Sequence, residues 1–210
     1  METATIDREF LARPGLDVGP DLLGSVLRHT TAEGTVAVRL TEVEAYQGAD
    51  DPGSHAFRGR TPRNDIMFGP AGHLYVYFTY GMHFCANVVC DVDGTATAVL
   101  LRAGEVIEGS ALAAARRLSA RSPREYARGP ARLTTALGLG RADNGVDLCA
   151  PGSPTQLLPG DDVDPARVRS GPRVGVSGAG GDGAAFPWRF WLDGEPTVST
   201  YRPHVPKRRK

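Results

Sequence analysis

Residues 35–46 alternate with a period of two. Val36, Val38, Leu40, Glu42, Glu44 and Tyr46 share one strand face, and Ala37, Arg39, Thr41, Val43 and Ala45 share the other. The first face begins apolar and ends on two carboxylates, so the pattern predicts a strand running out of a core into a polar cleft. Strand spacing puts the two acids roughly 7 Å apart, close enough for like charge to raise at least one carboxyl pKa in a dry site. A solvated strand end satisfies the same pattern. Upstream, Leu22, Leu23, Val26 and Leu27 recur at helical spacings and predict a helix over 17–28, with Pro20 in its first turn. Downstream, residues 47–73 are rich in Gly, Pro, Asp and Asn and read as a long structured loop. Two β-rich runs, 74–79 and 83–89, flank Tyr80-Gly81-Met82 and predict a β-hairpin with Tyr80 and Met82 at its tip. A buried strand is expected over 96–103 and a helix over 108–118. Gly129-Pro130 opens a short helix over 131–139, closed by Gly138 and Gly140. Residues 150–170 read as surface connection. Short strands follow at 171–176 and 190–192, around a glycine-rich loop, and the Asp193-Gly194 turn leads to a last strand at 198–199. The ends, 1–9 and 203–210, read as flexible tails.

Composition narrows this picture. The 210 residues make most simply one domain, 41% hydrophobic and 23% charged. The formal net charge is +0, so no whole-molecule field draws in a polyanion, and nucleic-acid binding must rest on local arginine and lysine clusters. Three cysteines, none in a Cys-x-x-Cys pair, argue against a disulfide framework or a cysteine zinc site and fit a reducing cytosol. There is no apolar signal-like segment and no apolar run of membrane-spanning length. A cytoplasmic monomer without an obligate protein partner is the expectation.

The chemistry concentrates in residues 41–90. That window holds the acids Glu42 and Glu44, the histidines His55, His73 and His83, and the tyrosines Tyr46, Tyr75, Tyr77 and Tyr80. It also holds the arginines Arg58, Arg60 and Arg63. Stacked aromatics bind planar ligands. Arginines and a helix N-terminus, here after Gly129, suit phosphate. An aromatic or Met at a hairpin tip can wedge between base pairs, and a carboxylate in a dry pocket can activate water. These parts suit an enzyme that extracts one nucleotide and cuts its glycosidic bond. The same parts suit two other classes. A metal-dependent hydrolase could use the acids and histidines, although they lack compact ligand spacing. A non-catalytic module could bind damaged DNA by stacking alone, and it would tolerate Glu44→Ala.

The window also resembles the methylpurine (3-methyladenine/alkyladenine) DNA glycosylases. The resemblance rests on Glu42-Val43-Glu44-Ala45-Tyr46, Ser54-His55, Thr61-Pro62-Arg63-Asn64 and Met67-Phe68-Gly69-Pro70. Leu74-Tyr75-Val76-Tyr77, Tyr80-Gly81-Met82 and Phe84-Cys85-Ala86-Asn87-Val88 extend it. Leu22-Leu23-Gly24, Leu100-Leu101-Arg102-Ala103, Gly129-Pro130, Arg173-Val174-Gly175-Val176 and Arg189-Phe190 continue it in order, over about residues 10–200. It implies a single α+β domain: a curved antiparallel sheet, surrounding helices, and a hairpin that enters the DNA minor groove. It implies a monofunctional glycosylase of base excision repair that flips alkylated or deaminated purines from double-stranded DNA, with no cofactor and no metal. By resemblance Glu44 is the general base, and Arg102 and the Val174 carbonyl hold the attacking water. Tyr46 and His55 lie on one face of the flipped base and Tyr77 on the other. Asn87 stands where it would clash with the amine of normal guanine. Tyr80 is the wedge with Met82 beside it, and Arg63 and Gly129 contact DNA. No lysine lies in the window to form a Schiff base, so no lyase step is expected. His83 stands where the family pattern favours a tyrosine. Near-neutral charge implies weak, steeply salt-sensitive binding outside the lesion.

Overall fold

The computed structural model describes residues 5–79 and 81–205. Eight antiparallel strands form one open sheet with a few short helices, a mixed α+β domain. In chain order the strands are β1 (Val26–Thr31), β2 (Gly34–Gln47), β3 (Leu74–Thr79), β4 (His83–Cys90), β5 (Thr97–Glu108), β6 (Thr155–Leu158), β7 (Val168–Gly171) and β8 (Arg189–Leu192). The main path runs β3-β4-β5-β2-β1-β6, and β8 adds to β2 with β7 on its far side. The helices are α1 (Arg8–Leu11), α2 (Gly15–Asp21), α3 (Ser110–Arg116) and α4 (Pro130–Leu137).

The two longest strands carry the architecture. β2 has the expected alternation, yet residues of both its faces are buried: Val36, Val38 and Leu40 on one, Ala37, Thr41, Val43 and Ala45 on the other. Its ladder with β5 shifts register on both sides of Glu42, where Leu40 faces Gly104 and Val43 faces Leu101. A bulge re-aims side chains, and here it sits where β8 joins β2 opposite Glu42, Val43 and Glu44. Gly104 is required at this point, because a Cβ there would lie 2.3 Å from the Arg39 carbonyl oxygen. Helix α2 packs on β2, β5 and β8, and α4 on β4 and β5. The core between them is aliphatic, with Leu11, Leu22, Leu27, Leu40, Leu101, Leu133 and Leu137 fully buried.

Several expected elements move. The helix expected over 17–28 ends at Asp21, and Val26 and Leu27 belong to β1 instead. Gly24, at φ +86, breaks the helix, and its N–H donates to the Leu40 carbonyl. The expected surface connection over 150–170 contains β6 and most of β7. The strand expected over 171–176 reduces to Gly171, and no strand forms at 198–199. The Ser199 N–H is spent on the Glu42 carboxylate, 2.6 Å, rather than on a ladder. Strand β5 extends to Glu108, so α3 begins at Ser110. Near the N-terminus the Ile6 N–H donates to the Leu157 carbonyl and Asp7 caps α1. Strands β3 and β4 pair in register from Leu74↔Val88 to Thr79↔His83. Tyr80, between them, lies outside the described residues. No helix among the described residues is long and apolar enough to cross a membrane.

Candidate active site

Strand β2 delivers Glu44 and Tyr46, β5 delivers Arg102, β3 delivers Tyr77 and β4 delivers Asn87. With His55 from the 47–73 loop and Val174 from the segment after β7, these residues line one cavity of about 370 Å³. The cavity thus collects every residue expected to act as base, water holder or stacking wall. Cys85 and Gly175 share its wall.

Glu44 is fully buried, accepts two hydrogen bonds and pairs with one arginine. The Val174 N–H donates to Oε1 at 2.7 Å, the Tyr46 hydroxyl donates to Oε2 at 2.9 Å, and Arg102 Nη1 lies 3.2 Å from Oε1. The group of Val174 that meets Glu44 is therefore its N–H. Burial raises the Tyr46 and Tyr77 phenol pKa values, Glu44 adding to the rise in both, so each hydroxyl stays protonated and available as a donor. A carboxylate has about four acceptor positions, so these two hydrogen bonds leave acceptor capacity on Glu44.

Glu42 does not line the cavity. It lies behind it, fully buried, and accepts from Arg102 Nε (2.8 Å), Arg189 Nε (2.7 Å), the Ser199 hydroxyl (2.8 Å) and the Ser199 N–H (2.6 Å). The two acids thus take different environments, and the cleft expected for both receives only Glu44. At Glu42 the neighbouring cations, not like charge, decide the pKa. Burial pushes its pKa up, but Arg102, Arg189 and the Ser199 N–H together hold it below the ordinary carboxylate value. Burial works against the charge of Arg102 too, but Glu44 and Glu42 keep its pKa above the ordinary arginine value.

The aromatic wall has a fixed back. Behind Tyr46 lies the fully buried Arg173 guanidinium, 4.5 Å from the ring centroid. Asp51 holds it with two ion-paired contacts of 2.5 and 2.7 Å, and the Ala45 and Gly180 carbonyls accept the remaining contacts. Tyr75 and Tyr77 stack at 5.5 Å and 27°, and His55 stands edge-on to Tyr77 at 4.6 Å and 81°. The His55 Nδ1 lies 3.1 Å from the Tyr75 hydroxyl. Crowding by these rings, with the Arg63 cation nearby, lowers the His55 pKa to about 4 although one side of the ring faces solvent, so His55 is neutral at pH 7. The Asn87 side-chain amide donates to the Tyr75 carbonyl at 3.1 Å. Asn64 organises the loop below. Its Oδ1 accepts from the Thr61 N–H, and its Nδ2 donates to the His55 and Gly59 carbonyls.

Arg63, Met82 and Gly129, expected to contact DNA, lie outside this cavity. Arg63 is exposed, with its guanidinium 5.6 Å from the Tyr77 ring centroid. Met82 is 69% exposed. Gly129 lies in an adjoining cavity of about 430 Å³, which shares Arg102 and Pro130 with the first and is lined by Arg128, Arg132 and Arg202. Among the described residues, no three His, Cys, Asp or Glu side chains converge as a metal-binding group. Arg173, Arg189 and Ser199 escaped the sequence reading as individual site residues, and Asp51 entered it only among the acids open to a metal-dependent hydrolase. Their signal is a long-range charge match, which no local pattern displays.

Comparison with known proteins places this geometry. Residues 9–196 match the family model described as methylpurine-DNA glycosylase (MPG). A Streptomyces avermitilis protein named "Putative 3-methyladenine DNA glycosylase" is 63% identical over 206 residues, 98% of this chain and 95% of the relative. Proteins of the same name from Leifsonia xyli subsp. xyli and Burkholderia lata are 60% and 46% identical. They cover 92% and 93% of this chain, and 95% and 91% of their own lengths.

Proposed function

The chain belongs to the methylpurine-DNA glycosylase family, and from that premise we propose that it excises alkylated and deaminated purines from double-stranded DNA with a water activated by Glu44. The observation that carries this reading is Glu44 itself: a fully buried carboxylate on the cavity wall that accepts two hydrogen bonds, pairs with Arg102 and keeps an acceptor position open. A water on that open position loses a proton to Glu44 as its oxygen bonds to the sugar C1′. The glycosidic bond breaks and its electron pair leaves with the purine. The carboxylate also stabilises the oxocarbenium-like sugar. A cationic lesion such as 3-methyladenine or 7-methylguanine leaves as a neutral base and needs no acid. Hypoxanthine or ethenoadenine must be protonated on the purine as it departs.

Tyr46 and His55 take one face of the flipped base and Tyr77 the other. Neutral His55 adds no charge against a cationic purine. At 4.6 Å from Tyr77, its ring occupies space that a base between two platforms requires, since two stacking gaps need about 7 Å. His55 therefore swings aside on base entry. Asn87 rejects the amine of normal guanine. Tyr80 and Met82 fill the gap in the duplex, while Arg63 and the Gly129 turn hold the backbone. The enzyme works as a monomer in the cytoplasm, without a cofactor or protein partner.

The test is single-turnover excision in chelator from duplexes carrying hypoxanthine or ethenoadenine, and from alkylated DNA. Wild type should excise. Glu44→Gln should lose about 10²- to 10⁴-fold in rate while keeping lesion affinity. Tight lesion binding without excision in the wild type would leave a damage-binding module.

A further inference from the structure

We infer that Glu42, which touches neither cavity nor substrate, is a positioning residue for the reaction: it anchors and neutralises Arg102 so that Glu44 keeps an acceptor free for water. This rests on the reading of Glu44 as the base. Arg102 sits between the two acids, with Nε on Glu42 Oε1 at 2.8 Å and Nη1 on Glu44 Oε1 at 3.2 Å. The shorter contact is to the acid outside the cavity. Arg189 and both donors of Ser199 hold that acid from behind, so it cannot rotate toward the base. Two carboxylates and two guanidiniums, all at most 5% exposed, form one chain of buried charge that sums to zero.

The other groups around Glu44 cannot do this. Tyr46 from its own strand, Tyr77 from β3 and Cys85 from β4 are uncharged. The segment after β7 presents the Val174 N–H and Arg173, and Arg173 is already matched by Asp51. Glu42 is thus the group that balances Arg102 from the rear. Without its charge, Arg102 turns to Glu44 with two nitrogens, fills the open acceptor position, and pairs the base too tightly to take a proton. A purely structural Glu42 would only tie β8 to β2. Its loss would then lower stability and leave the pH behaviour of the base unchanged.

The experiment compares wild type, Glu42→Gln and Arg189→Gln. It follows the Glu44 carboxyl by ¹³C NMR, assigned through Glu44→Gln, alongside the pH profile of single-turnover excision. With Glu42→Gln, the Glu44 titration curve and the acid limb of the rate should move down by about 1 to 2 pH units. The plateau rate should fall about 10- to 100-fold, with lesion affinity nearly kept. Arg189→Gln removes the opposite charge and should move both curves up. Unmoved curves in folded variants overturn the inference. If Glu42→Gln does not fold, the direction seen in Arg189→Gln decides. If the wild type excises nothing, the proposed function fails, while the carboxyl titration still reports the coupling.

Discussion

Asp51→Ala tests the best-buried ion pair among the described residues. Asp51 and Arg173 each have 0% side-chain exposure and meet through two contacts of 2.5 and 2.7 Å. The carboxylate also accepts the N–H groups of Gln47 (3.2 Å) and Gly53 (2.8 Å), which tie the start of the 47–73 loop to it. Removing it strands a guanidinium whose Nε already lacks a partner among the described residues. Only the Ala45 and Gly180 carbonyls remain for that group. Breaking one side of a buried pair costs about 3–5 kcal/mol, because the other charge stays dry and unmatched. Domains of this kind have about 5–15 kcal/mol in total. At about 2–4 °C per kcal/mol for this size, the melting temperature should drop by about 6–20 °C. Urea unfolding and thermal melts measure it. The double variant Asp51→Ala/Arg173→Met removes the stranded cation and should recover a large part of the loss. Because the guanidinium backs Tyr46, lesion affinity should fall in the single variant even where it is folded. A cost below about 1 kcal/mol, as for an exposed pair, or strictly additive single and double variants, would refute the reasoning.

Two further outcomes follow from the same structure. Tyr46→Phe keeps the ring against Arg173 but removes the donor to Glu44 Oε2, so excision should slow about tenfold with lesion affinity retained. An unchanged rate would remove the hydroxyl from the mechanism. Stability should fall with acid. His29, chiefly through burial and also through Arg116, titrates below its ordinary value of 6.5, and His55 does so at about 4. The unfolded chain then takes up these protons first, so the native state keeps its full advantage above about pH 6.5 and loses it as the pH falls through the folded values. Glu42, a carboxylate held below 4.5, adds a loss at lower pH still. The urea midpoint should decline between pH 7 and 4.5, and His29→Gln should flatten that decline. A flat wild-type curve would contradict it.

The parts legible in the sequence are those governed by local period and punctuation. The alternation of β2 needs no partner to be seen, and Gly129-Pro130 and Gly138 bracket α4 as capping rules dictate. The cavity residues were legible because they crowd into one stretch around β2, β3 and β4, with Arg102 and Val174 supplied by ordered motifs. What escaped depends on tertiary partners. Val26 and Leu27 fit a helix face as well as a strand, and pairing with β2 and β6 decides for the strand. Strands β6 and β7 are four residues each and sit among Pro and Asp, so they carry too little pattern to read alone. The depressed pKa of Glu42 is hidden from the sequence for the same reason. Its like-charged neighbour is two residues away, but the cations that outweigh it come from 60 and 147 residues away.

The distance between Glu42 and its partners also has a consequence for how the enzyme comes into being. Glu42 emerges during synthesis 147 residues before Arg189 and 157 before Ser199. A nascent chain that has reached only β6 can pair β1 through β6, yet three of the four donors on Glu42 are still unmade. Long-range closures of this kind come late in folding. The buried charge network behind Glu44 is therefore completed last, once β8 and Ser199 are made. A translation product stalled before β8 carries Glu42 with only Arg102 of its four donors made.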